Sequence, residues 1–130
     1  MRGIPFFNFP AFHSAAHNLR KEGWFVFSPA EADVKLSGGR DISANNPTGD
    51  ERQCAKEHGL TIRQCLAADL KFICEEADAL ALLPGWEHSK GALAERATAL
   101  ALGLYIFEYQ ELGLQGDTRK NSNGTLTDSL

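Results

Sequence analysis

The residues of this chain best suited to chemistry are concentrated between Leu83 and Arg96, in the stretch LPGWEHSKGALAER. Glu95 stands among alanines and leucines about one turn into a predicted helix, where the helix dipole favours a carboxylate and keeps it ionised and available. The amides around Lys90 to Ala92 are offered to an anion at that helix start, and Gly91 permits a close backbone approach. Ser89 suits two roles, as helix cap or as hydroxyl donor to a phosphate. Pro84-Gly85-Trp86 forms a turn out of the preceding apolar run, and Trp86 is suited either to loop packing or to stacking on a base. Glu87 and His88 read as exposed loop residues. Spacing alone leaves a second reading of Glu95 open, in which it shares a solvated face with Arg96.

Other combinations of reactive side chains are weaker. His13 and His17 lie four apart on a predicted helix, but no third ligand follows at a recognisable spacing, so they read as surface residues and no metal site is expected. Cys54, Cys65 and Cys74 are odd in number and contain no Cys-x-x-Cys pair, which fits a reducing cytoplasm better than a disulfide framework. Cys65 and Cys74 fall on or beside an apolar stripe and read as core. Net charge is -4 with Lys and Arg scattered singly, which excludes the concentrated basic face of a nucleic-acid groove. No apolar run approaches the roughly 18 residues of a membrane span, and Pro5 and Pro10 interrupt any signal-like segment. Small molecules and protein partners remain.

The elements that must position these residues follow from periodicity. Phe9, Phe12, Ala16 and Leu19 mark an amphipathic helix over 8–22, and 24–29 (WFVFSP) reads as a short buried strand. From Ala30 to about Leu60 no period is sustained. This segment is expected to be a long lid or binding loop, with a short helix near Glu51 to His58 as one option. Thr61 and Gln64 carry a capping-box signature before a helix over 62–76, in which Ile62, Leu66, Leu70, Ile73 and Ala77 repeat. The run 79–84 is strand-like, GALAERATALALG is a helix ending at Gly103, and 104–109 (LYIFEY) is a further strand. Helices alternating with fully apolar strands predict an α/β domain over 1–109, with a parallel sheet flanked by helices on both faces. Residues 110–130, rich in Gln, Gly, Asn, Ser and Thr, are expected to be a polar tail or arm.

Taken together, MRGIPFFNFPAF, AADLKFICEEADALALLPGWEHSKGALAERATALALG and the strand after them resemble the nucleoside 2-deoxyribosyltransferase-like superfamily, in a bacterial and phage branch. The resemblance covers roughly 1–109 outside the middle loop. It implies a Rossmann-like or flavodoxin-like fold, no cofactor, a nucleotide or nucleoside substrate, and a homodimer or larger homo-oligomer. It implies that Glu95 attacks the anomeric carbon through an oxocarbenium-like transition state. It matches Asp78 to the acid that protonates or orients the departing base, and Arg2 and Gly3 to the loop lining sugar and base. Gly85, Trp86, Ser89 and Gly91 complete the expected substrate site. Serine six residues before the nucleophile resembles the monophosphate N-glycosidases, so hydrolysis of (deoxy)nucleoside 5'-monophosphates is the expected activity. Deoxyribosyl transfer between bases, or a non-catalytic nucleotide-binding module, are the alternatives. In the superfamily a first strand precedes the position of Met1 and lies between the strands at 24–28 and 79–83. Its loss is expected to leave a gap of unpaired backbone at the centre of the sheet.

Overall fold

The computed structural model describes residues 8–110 and the backbone of 123–127. In chain order these form α1 (Phe9–Lys21), β1 (Phe25–Phe27), α2 (Pro29–Leu36), α3 (Glu51–His58), α4 (Ile62–Glu75), β2 (Ala79–Leu82), α5 (Lys90–Leu102), β3 (Tyr105–Glu108) and β4 (Asn123–Thr127). The four strands make one parallel sheet in the order β1-β4-β2-β3, and the helices pack on it, so the α/β expectation holds. No helix among the described residues is long and apolar enough to cross a membrane.

β2 shows why the sheet is covered on both faces. All four of its residues are buried, as expected of a parallel strand between helix layers. Ala79, Ala81 and Leu83 join a core with Phe9, Phe12, Ala15, Ala16 and Leu19 of α1. Leu80 and Leu82 face the opposite side, against Ile73 of α4 and Ala99 of α5.

Helix ends follow local chemistry. Thr61 and Gln64 form the expected reciprocal capping box at the start of α4. Asp50 caps α3 by accepting from the backbone N–H groups of Arg52 and Gln53, and Gly103 ends α5 in the left-handed conformation that a glycine adopts without strain.

Two expectations are corrected. The segment from Ala30 to Leu60 is not one long loop, because α2 begins directly after β1 with Pro29 in its first turn. The optional helix at Glu51–His58 is present as α3, leaving 37–50 as the connecting loop. The second correction concerns the polar tail, since residues 123–127 form β4 and occupy the middle of the sheet. Gly124 pairs with Val26 on one side and Ala79 on the other, so the gap expected between β1 and β2 is filled. Residues 111–122 and 128–130 lie outside the described part.

Candidate active site

β2 leaves the sheet through Leu83, Pro84 and Gly85 into a 3-10 turn at Trp86–His88, and α5 follows from Lys90. Gly85 has φ 86°, a left-handed conformation that favours glycine at this turn. Trp86 fixes the loop at three points. Its Nε1 donates to Glu108 Oε1 at 2.8 Å, its ring packs beside the Ile73–Leu80–Leu82 cluster, and the Arg96 guanidinium lies 5.1 Å above the ring centroid. Loop packing is therefore the role these contacts give it.

Ser89 caps α5. Its Oγ accepts from the Ala92 N–H at 3.1 Å and its carbonyl accepts from the Leu93 N–H, which leaves the first amides of the helix, those of Lys90 and Gly91, to meet an anion. A Cβ on Gly91 would meet only Ser89 Oγ, at 3.9 Å, so internal packing does not require glycine there. Glu87 and His88 are exposed, as expected.

Glu95 is 2% exposed and does not share a solvated face with Arg96. Its surroundings reverse the expectation that it stays ionised. Burial, then the neighbouring Asp69 carboxyl, raise its pKa well above the ordinary glutamate range. Asp69 of α4 is also buried, and burial followed by the charge of Asp33 pushes it up to about 8. The Asp69 and Glu95 carboxyls lie within hydrogen-bonding reach of each other. Two ionised carboxylates only accept hydrogen bonds, so this contact requires a proton on one of them. Asp33 of α2, 1% exposed, completes the group; burial raises it to about 6 while a hydrogen bond from the Cys65 thiol opposes the rise.

Three helices thus each bring one buried carboxyl to a common interior, and α2, α4 and α5 all touch β4. Asp33 Oδ1, Asp69 Oδ1 and Glu95 Oε2 have no hydrogen-bond partner among the described residues. Nor does Ser28 Oγ, which is buried at the carboxyl end of β1. Interiors rarely tolerate such unsatisfied groups, and clustered raised carboxyls mark places where chemistry is done. Among the described residues no group of three or more His, Cys, Asp or Glu side chains is arranged to hold a metal ion, and His13 and His17 are both exposed.

Asp78 does not join this group. It is exposed and lies just ahead of β2, at the amino end of a parallel strand, whereas Glu95 follows the carboxyl end of the same strand. Its backbone carbonyl accepts from Tyr105 N–H, a structural contact between neighbouring strands. The carboxyls that share a proton are those of Asp69 and Glu95. Arg2 and Gly3 lie outside the described residues.

A family model for a domain of unknown function, DUF4406, matches residues 1–108. The chain belongs to this DUF4406 family. No curated protein and no solved structure matches it significantly. In this DUF4406 domain, then, Asp69 and Asp33 are the candidate site residues that sequence reasoning missed. A signal for Asp69 was present, since it falls three residues after Leu66 and four before Ile73, on the apolar stripe of α4. Asp33 gave no such signal while its segment read as loop.

Proposed function

We propose that this DUF4406 domain is an N-glycosidase acting on (deoxy)nucleoside 5'-monophosphates, on a Rossmann-like or flavodoxin-like scaffold, with Glu95 as nucleophile and Asp69 as its proton partner. The observation that carries this reading is the buried Asp69–Glu95 pair, beside the loop from the carboxyl end of β2 to α5. In open parallel sheets that edge is where ligands bind.

A proton held between two carboxyls suits a displacement at an anomeric carbon. Transfer of the Glu95 proton to Asp69 produces a carboxylate nucleophile and a loaded acid in one step. Glu95 then forms a bond to the anomeric carbon as the bond to the base nitrogen breaks, and Asp69 protonates that nitrogen. The product is a glycosyl ester on Glu95. Asp69, now ionised, takes a proton from water, whose oxygen attacks the same carbon and releases Glu95 and the sugar phosphate. Base and sugar phosphate account for all atoms of nucleotide and water.

The 5'-phosphate would meet the Lys90 and Gly91 amides at the start of α5, five and four residues before Glu95. Exposed Leu93, Leu100 and Leu102 on α5, together with Phe25, support a homo-oligomer as part of the same proposal.

The test is release of free base from each deoxynucleoside 5'-monophosphate, followed by chromatography, for the wild type and for Glu95→Gln. Release by the wild type and its loss in the variant are expected. Unchanged release by Glu95→Gln overturns the assignment of the nucleophile. Adding a second free base separates hydrolysis from transfer, because transfer would give a new nucleoside.

A further inference from the structure

The mechanism above uses Asp69 and Glu95 and leaves a third buried carboxyl unexplained. Asp33 is 1% exposed, its Oδ1 has no partner among the described residues, and no Lys, Arg or His among them pairs with it. An isolated buried carboxylate is costly, and a helix of eight residues has no structural need for one. The element packed most directly on α2 is α4, and Cys65 and Asp69 stand one helical turn apart on that helix. Cys65 is partly buried against the core and donates its thiol hydrogen to Asp33. Thus one turn of α4 meets Asp33 through a donor, and the next turn carries the carboxyl that shares a proton with Glu95.

We propose that Asp33, held by the Cys65 thiol, is a positioning residue that keeps the shared proton on the Asp69–Glu95 pair. An ionised Asp33 beside Asp69 opposes a second and a third negative charge in the same interior. Its charge therefore disfavours loss of the proton that Asp69 and Glu95 share, the proton that the proposed glycosidase reaction later delivers to the departing base. Among the described residues the groups that bear on Asp33 are Cys65 and Asp69 from α4, Cys54 from α3 and Glu95 from α5, while the charge of the N-terminal ammonium opposes the rise of all three carboxyls. Burial and the Asp33 charge both raise the thiols of Cys54 and Cys65, so both stay protonated at neutral pH and Cys65 remains a donor. The inference rests on the proposed reaction for its purpose but not for its measurement.

The experiment is a carbon-13 NMR titration of the side-chain carboxyls in the full chain, for the wild type, Asp33→Asn, Cys65→Ser and Cys65→Ala. Asp33→Asn is expected to move the Asp69 transition about one pH unit lower, as removal of a neighbouring like charge does. Cys65→Ala should raise the titration of Asp33, and Cys65→Ser, which retains a donor, should restore it. If Asp33→Asn does not fold, the two Cys65 variants decide the matter, since both keep the carboxyl. Unmoved Asp69 and Glu95 titrations in a folded Asp33→Asn variant overturn the proposal, as do identical Asp33 titrations in Cys65→Ser and Cys65→Ala. Where base release is observed, its alkaline pH limb should move with Asp33→Asn while KM does not. If the wild type releases no base, the glycosidase reading fails and the titration still decides the role of Asp33.

Discussion

Replacing Asp69 by asparagine should stabilise the folded chain at alkaline pH, the reverse of what removing a buried interaction normally does. Asp69 ionises near 3.8 in an unfolded chain and near 8 in the fold. Between those values the coupled Asp69–Glu95 pair of the native state holds a proton that the unfolded state has lost, so stability falls as pH rises through the window. At about 1.4 kcal/mol per tenfold change, the full move corresponds to ~6 kcal/mol. Asp33, raised from 3.8 to about 6, adds ~3 kcal/mol in the same direction over the lower part of the window. These are large against a total stability of about 5–15 kcal/mol for a domain. Urea unfolding followed by circular dichroism at pH 4.5, 6, 7 and 8.5 should therefore give a falling midpoint for the wild type. Asp69→Asn should flatten that fall and exceed the wild type by several kcal/mol at pH 8.5. At pH 4.5 it should be equal or slightly weaker, having lost the shared proton. A wild-type midpoint that stays level or rises from pH 5 to 8 would refute the reasoning, and so would a variant equally weakened at both extremes.

Three further outcomes test the parts around the site. Gly91→Ala should stabilise α5 by roughly 0.5–1 kcal/mol in thermal unfolding, since its Cβ meets only Ser89 Oγ at 3.9 Å, and should weaken nucleotide binding in calorimetry if the amide there holds a phosphate. Trp86→Phe retains the ring over the core but loses the donor to Glu108. It should cost about 1 kcal/mol and speed hydrogen exchange at the Ser89 and Lys90 amides. Gly124→Pro removes an N–H from the middle strand of the sheet, where proline is not tolerated, and should abolish cooperative unfolding; a cooperative transition of wild-type midpoint would remove β4 from its place.

Much of the fold could be read from periodicity because its elements carry their own instructions. α1, α4 and β2 have uninterrupted apolar patterns, and the Thr61–Gln64 cap is a local chemical match that packing only confirmed. α2 was readable and misread. Ser28-Pro29-Ala30-Glu31 has a capping residue, a first-turn proline and an acid in the first turn, all helix-start signals, although a proline after an aromatic run also fits the end of a strand. β4 could not be found this way, because NGTLT has neither a long apolar run nor strong strand formers throughout. It is a strand because β1 and β2 present unpaired backbone on facing edges, a tertiary requirement absent from local sequence. Glu95 was found from its odd setting, whereas Asp78 failed on topology. The residue before a parallel strand sits at the opposite edge from the residues after it, a distinction that proximity in sequence conceals.

The same topology explains why the carboxyls and the middle strand belong to one problem. α2, α4 and α5 bring Asp33, Asp69 and Glu95, and each of these helices touches β4. Removing β4 would leave the helices without the strand they share and would admit water to carboxyls whose raised pKa values come first from burial. Rehydrated, Asp69 and Glu95 would return toward ordinary carboxylate behaviour and release the proton they share. A chain weakened in β4 but still helical should therefore lose the alkaline titration of Asp69 before it loses its helices. Carbon-13 titration of Gly124→Pro alongside far-UV circular dichroism separates the two events. Persistence of an Asp69 transition near pH 8 after the strand is broken would mean that the helices alone keep the site dry.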